Sequence, residues 1–247
     1  MTSASFAVLR TEARLFSREP GSLFWIIAFP TVLLTILGLL PSFREVSDDL
    51  GGRRVIDLYV PVAVLLATIM AGLQAMPPVL TGYRERGILR RMSTTPVRPA
   101  SLLTAQLTLH GVATLCSATL AVAVGRVAFD VRLPEKFAGY LPALVLTTAS
   151  SLALGATVCA VARTQKMATA IGSVVFFPTM FTAGVWVPVQ AMPDAVQRIV
   201  ELTPFGAASE ALDRAATGGW PGWLHLGVMA IWTVLLTAAA ARWFRWE

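Results

Sequence analysis

TGYRERGILRRMSTTPVRPAS, residues 81–101, sets five arginines and a single acid, Glu85, between two long runs that carry no charge at all. The run before it, 58–81, and the run after it, 102–125, each exceed the roughly 20 residues a helix needs to cross bilayer hydrocarbon. A basic hinge between two such runs marks a cytoplasmic connection, because Lys and Arg near span ends stay on that side. The fold expected from this stretch is therefore an all-α integral membrane protein.

Outward from the hinge, four more uncharged or nearly uncharged stretches follow the same rule: 21–41, 137–162, 167–191 and 215–241. The last is longer than a span, and the Gly218, Gly219, Pro221, Gly222 cluster breaks it, so its helix is expected to begin near Trp223. Six transmembrane helices in a single domain, 1–247, are thus predicted. Continuous apolar runs exclude barrel strands, whose lipid-facing residues alternate with polar ones. With 55% hydrophobic and 14% charged residues, a soluble core is excluded as well.

With both termini placed in the cytoplasm, the cytoplasmic segments hold twelve basic and four acidic residues, a net +8, and the other side eight against ten, a net −2. The expected location is the cell membrane, multi-pass, with both ends inside. The overall charge of +6 then lies where anionic headgroups lie and requires no nucleic acid. No cleavable signal peptide is expected, since residues 1–19 are amphipathic and not apolar. Phe6, Leu9, Ala13 and Phe16 recur there at spacings of three and four beside a row of Arg10, Arg14 and Arg18. That pattern predicts an interfacial helix over 1–20, apolar face toward lipid, although a simple positive flank would also set topology.

The hinge itself has helical character from Arg84 to Met92, with Ile88, Leu89 and Met92 as an apolar face, and is expected to end near Pro96. A charged helix with one apolar face suits docking to a protein partner; a solvated loop that only enforces topology is the plainer alternative. Pro99 suits the first turn of the next span.

Beyond the hinge, 188–222 reads as an external hairpin of two short helices broken at Pro204. Glu210 and Arg214 have the spacing of a helical ion pair, and with Asp213 they form a candidate outer gate or, equally, a cap on the bundle. Within the spans no acid or base lies near the middle, which disfavours an ion-coupled carrier. His110 and His225 lack acid–base companions, and Cys116 and Cys159 lack metal-ligand spacing, so all four are read as packing residues. No catalytic, cofactor or metal site is expected. Phe24, Trp25, Phe176, Phe177 and Phe181 place bulky rings on the first and fifth spans, where an aromatic belt in contact with lipid explains each one singly. Ala149, Ala153 and Thr157 on the fourth span permit close approach of another helix.

The residues of the hinge, Glu85, Arg86, Gly87, Leu89, Arg90, Arg91, Thr95 and Pro96, resemble the signature stretch of type-2 ATP-binding-cassette exporter permeases. Arg18, Glu19, Pro20, Gly21 and Ser22, with Pro30 inside the first span, are similar to that family's elbow helix and first span. Gly184, Pro188, Met192, Pro193, Pro204, Phe205, Ala211 and Arg214 follow its external-hairpin pattern. What the resemblance implies is a permease half that pairs with a second copy or a similar permease and binds separate ABC ATPase subunits, on which ATP and Mg are expected. The chain has no Gly-x-x-x-x-Gly-Lys-Ser/Thr phosphate loop of its own. The family's coupling role falls by position on Arg84, Glu85, Arg86, Arg90 and Arg91 in the cytoplasmic loop 81–101, with a second contact at Arg163 and Lys166. In similar permeases the first and fifth spans line the dimer interface and pathway, so the resemblance implies that place for Phe24, Trp25, Phe176, Phe177 and Phe181. Expected cargo is hydrophobic or amphiphilic: a drug, a lipid or a lipid-linked glycan. A membrane scaffold or sensor using the same ATPase is the alternative.

Overall fold

A computed structural model describes residues 3–47, 50, 52–93 and 100–243 of the chain. Ten helices are numbered here along it. Helix α1 is Ser3–Phe16, and α2 is Pro20–Leu39. After a helical turn at Pro41–Arg44, strands β1 (Val46–Ser47) and β2 (Arg53–Arg54) pair antiparallel. Then come α3 (Val55–Glu85), α4 (Ile88–Ser93), α5 (Ala100–Phe129), α6 (Phe137–Val161) and α7 (Gln165–Thr182). The chain closes with α8 (Asp194–Val200), α9 (Pro204–Ala216) and α10 (Trp223–Trp243).

Five of these, α2, α3, α5, α6 and α10, are long and apolar enough to cross a bilayer. The fifth expected span, 167–191, is shorter than its sequence suggests. Helix α7 stops at Thr182, because Gly184 adopts φ +78° and closes a Schellman turn, Gly184 N–H donating to Phe181 O and Val185 N–H to Met180 O. Residues beyond it bend away through the 3-10 turn Val189–Ala191. At its other end α7 takes in Gln165 and Lys166, with Thr164 Oγ1 accepting from Met167 N as the N-cap. The last helix starts at Trp223, after left-handed turns at Gly218 and Gly222, and Ala215 belongs to α9 instead.

Helix α3 is the axis of the bundle. It is almost wholly enclosed, packing on α2, α5, α6, α7 and α9, and most of its residues from Val62 to Leu73 enter the main apolar core. Its helix widens to π geometry over Met70–Ala75, just before Pro77 and Pro78, and α2 does the same over Phe24–Ala28, just before Pro30. A proline cannot donate to the preceding turn, and a π turn absorbs that mismatch. At this widened turn three glycines let backbones meet. A Cβ on Gly155 of α6 would collide with Gly72 O, one on Gly72 with Ser151, and one on Gly172 of α7 with Leu73 O. Polar side chains reinforce the seams: Ser151 donates to Thr68 O, Ser150 meets Thr233 Oγ1 at 2.6 Å, and Thr157 donates to Leu236 O at 3.0 Å.

Substituting Gly155→Ala forces the α3–α6 backbones apart and is expected to cost about 1–3 kcal/mol. Gly227, on α10, has open space where a Cβ would stand, so Gly227→Ala should be neutral or stabilising. Thermal unfolding of the two variants in detergent tests this; equal melting temperatures would show that the glycine crossing carries no constraint.

Candidate functional site

At the hinge end of α3, four successive residues each reach a different partner. Tyr83 donates its hydroxyl to Glu12 of α1 at 3.0 Å. Arg84 donates to Cys159 O and Ala162 O at 2.9 and 2.8 Å, satisfying the carbonyls left open where α6 ends. Glu85 accepts from Gln165 N–H at 3.1 Å, a carboxylate at the positive end of α7. Arg86 donates to Gly82 O and lies 5.5 Å from the Tyr83 ring centroid. The end of α3 is thereby fastened to α1, α6 and α7 at once.

The helix expected from Arg84 to Met92 is in fact two. Gly87, at φ +69°, ends α3 and turns the chain into α4. Arg84 is half-buried against the end of α6 and Glu85, though exposed, is bound to the start of α7, while Arg90 and Arg91 sit exposed on α4, and Arg91 donates back to Arg86 O at 3.2 Å. Leu89 is the buried anchor of that short helix. Arg163, on the turn into α7, lines one cleft with Arg84 and Glu85, and Lys166 is in the first turn of α7; both are exposed. Thr95, Pro96 and Pro99 lie outside the described residues.

Glu12 is the residue that periodicity missed. Helix α1 lies against α5, and its inward stripe contains this carboxylate, 7% exposed, among Leu9, Ala13 and Phe16, whereas Phe6 stays exposed. Gln106 of α5 also donates to Glu12 Oε2, at 2.6 Å, and Phe16 meets the buried His110 ring edge-on at 5.1 Å. Burial raises the Glu12 carboxyl above its ordinary range, against the pull of the Tyr83 and Gln106 hydrogen bonds, with the charge of Glu19 adding to the rise.

Along the membrane-spanning length, α2, α3 and α7 enclose a lateral cleft of about 770 Å³. Trp25, Phe176 and Phe177 line it with Phe29, Leu66 and Met70, and its few polar groups come from Tyr59, Gln74 and Ser173. Phe24 is not on the lining but meets Trp25 edge-on at 5.2 Å, and Phe181 lies outside it, 40% exposed. Trp186, beyond the end of α7, joins the lining beside Phe177, with ring centroids 6.3 Å apart.

At the opposite end, the three gate candidates divide between two ion pairs. Glu210 pairs with Arg214 at 2.6 Å, as their spacing suggests, while Asp213 takes a bidentate grip from Arg53 of β2 at 2.8 and 3.2 Å. Arg54 next to it brackets Asp57 and donates to Phe129 O and Asp130 O. Its guanidinium is held more basic than usual, chiefly by the hydrogen bond to Asp57. Helix α9 beneath these pairs is a core element: Phe205, Ala208, Ala211 and Leu212 are buried in the main cluster. His225 has a carboxylate neighbour that spacing hides, Glu201 at 3.6 Å. Among the described residues, no group of three His, Cys, Asp or Glu is placed to hold a metal.

Glu12→Ala leaves the Tyr83 hydroxyl and the Gln106 amide without their acceptor and should cost about 1–3 kcal/mol, while Glu12→Gln should be far milder. Because its pKa is raised on folding, the carboxylate of Glu12 lowers stability as pH climbs above the usual glutamate range. Wild type should therefore gain melting temperature relative to Glu12→Gln as pH is taken from about 8 to about 5. An unchanged difference would place Glu12 in water.

Among curated protein sequences no match to the chain is found. The family model described as ABC-2 type transporter matches residues 4–215, from α1 to the end of α9. An axial helix fastened at one end to its neighbours, a basic hinge and several apolar helices suit a membrane subunit moved by a partner that hydrolyses ATP. The chain belongs to the ABC-2 type transporter family and is a multi-pass membrane permease subunit that works with an ABC ATPase.

Proposed function

We propose that this permease is half of an exporter, pairing with a second copy of itself to move a hydrophobic or amphiphilic molecule from the cytoplasm or inner leaflet. The observation that carries the reading is the cleft of about 770 Å³ among α2, α3 and α7, which is almost entirely apolar and bordered by exposed rings. A second copy facing it across α2 and α7 closes two such clefts into one path. A drug, a lipid or a lipid-linked glycan meets the chemical requirement of those walls, with Gln74 and Ser173 as the polar contacts.

In this reading α7 is the fifth of six crossings, shortened but continued by the aromatic residues around Trp186, and both termini are cytoplasmic. Helix α1 is the interfacial elbow, its arginine row toward phosphates. Helix α4 is the coupling helix, with Arg90 and Arg91 toward the ATPase, and Arg163 and Lys166 form a second contact. Tyr83, Arg84 and Glu85 act one step behind, with Arg86 over the Tyr83 ring, carrying displacement of α4 into α1, α6 and α7. The Arg53–Asp213 pair holds α9 to β2 as the outer closure, with Glu210–Arg214 bracing α9 itself, and opening the path outward requires α9 and β2 to move together.

Three measurements test this. Arg90→Glu with Arg91→Glu should reduce recovery of the ATPase with the tagged permease by about tenfold or more, with membrane insertion unchanged. In a background with Cys116 and Cys159 replaced by alanine, Val174→Cys, on the exposed side of α7, should form a disulfide-linked dimer on oxidation, whereas Val234→Cys on α10 should not. Crosslinking from Val234 alone would put the interface on the wrong face. In liposomes carrying permease and ATPase, Trp25→Ala with Phe177→Ala should lower ATP-driven movement of a hydrophobic dye; intact ATP hydrolysis with no dye movement in wild type would favour a sensor over an exporter.

A further inference from the structure

On the side of the bundle formed by α5, α6 and α10, a second groove of about 540 Å³ runs through the half of the molecule nearest the hinge. Its floor is Ala153, Ala156 and Ala240, and Thr237 stands exposed at its rim. From Thr233 to Ala241 it follows α10 for ~12 Å at the helical rise of 1.5 Å per residue. Helix α10 is the least enclosed of the five long apolar helices, packing chiefly on α6 and α9, so this groove opens to lipid.

Its chemistry changes at the hinge end. One turn along α6, from Ala156 to Ala160, and one residue along α10, from Ala241 to Arg242, a polar cleft of about 570 Å³ begins, with Arg163 and Arg242 on its walls. Both arginines are exposed, and among the described residues neither makes an ion pair or a side-chain hydrogen bond. Glu85 is the one acid on that wall, and it accepts from Gln165 N–H. Trp243 stands at the same level, 53% exposed, as an interfacial ring does. Apolar below, cationic above and open to the bilayer along its length, the combined groove has the polarity of an anionic phospholipid.

We propose that one anionic phospholipid of the cytoplasmic leaflet is held here, an acyl chain along Ala153, Ala156 and Thr237 and its phosphate between Arg163 and Arg242. Zwitterionic lipid enters the same groove without the charge preference. The site lies away from the α2–α3–α7 cleft and does not depend on the exporter reading: lipid retention is read on the permease itself, without ATPase or transport.

The test is native mass spectrometry of the full chain, purified in mild detergent and reloaded with an equal mixture of palmitoyl-oleoyl phosphatidylglycerol and phosphatidylcholine. Wild type is expected to keep phosphatidylglycerol preferentially. Arg242→Gln should lower that retention by about fivefold, and Arg242→Lys should preserve most of it, which separates loss of charge from loss of fold. Thr237→Phe, filling the groove from its rim with both arginines intact, should lower retention of both lipids. Equal retention of the two lipids in wild type would overturn the proposal. So would displacement by inorganic phosphate with Thr237→Phe silent, which would mark a free-anion site, or a stoichiometric single-span polypeptide in place of lipid.

Discussion

The close crossing of α3 with α6 and α7 is the constraint on which the rest of the bundle hangs. Where Gly72 meets Gly155, and Leu73 O faces Gly172, backbones touch with no side chain between them. Lipid tails are as apolar as leucine, so helices in a membrane are held by contact area and by interhelical hydrogen bonds more than by escape from water. Glycine supplies the first and the Ser151–Thr68 bond the second, at the same level of the bundle. The π turn at Met70–Ala75 relaxes the strain of Pro77 and Pro78 at the same place, so the axis is widened where it is most tightly gripped.

Charge is handled at the two ends. At the hinge end, Tyr83, Arg84 and Glu85 tie α3 to α1, α6 and α7 within a single helical turn. At the other end Arg53 and Arg54 tie the loop after α2 to α9 and to the α5–α6 turn. Both ends are thus locked by arginine, a planar donor that satisfies two acceptors at once, and the apolar length between them contains the cleft. Movement of the ends relative to each other has to be taken up there.

Much of this architecture was legible in the residues. The starts of α2, α6 and α10 lie within a residue or two of expectation, because Pro20, Lys136 and Gly222 interrupt apolar runs sharply. Helices α8 and α9, their break at Pro204 and the Glu210–Arg214 pair were legible for a local reason, a spacing of four on one helix. Partners distant in sequence were not: Glu12 and Tyr83 are separated by 71 positions and Arg53 and Asp213 by 160. Helical spacing puts Glu12 beside Leu9, Ala13 and Phe16, but nothing local shows that Gln106 and Tyr83 will meet it there. The segment from Arg84 to Met92 reads as one helix because Gly87 is a single residue among good helix formers, and the left-handed φ that divides it leaves no mark on the residue pattern. Of the five aromatic candidates, three line the cleft; Phe24 and Phe181 share their composition but point elsewhere.

The enclosure of α3 has a consequence for synthesis. Gly72 leaves the ribosome 100 residues before Gly172, which caps the same crossing, and longer still before α9 is made. At about 5–20 residues per second, the axis of the molecule waits on the order of 5–20 seconds for Gly172 and longer for α9. Throughout that interval its glycine face and the Thr68 carbonyl meet lipid, or whatever the insertion machinery offers in place of α6, α7 and α9.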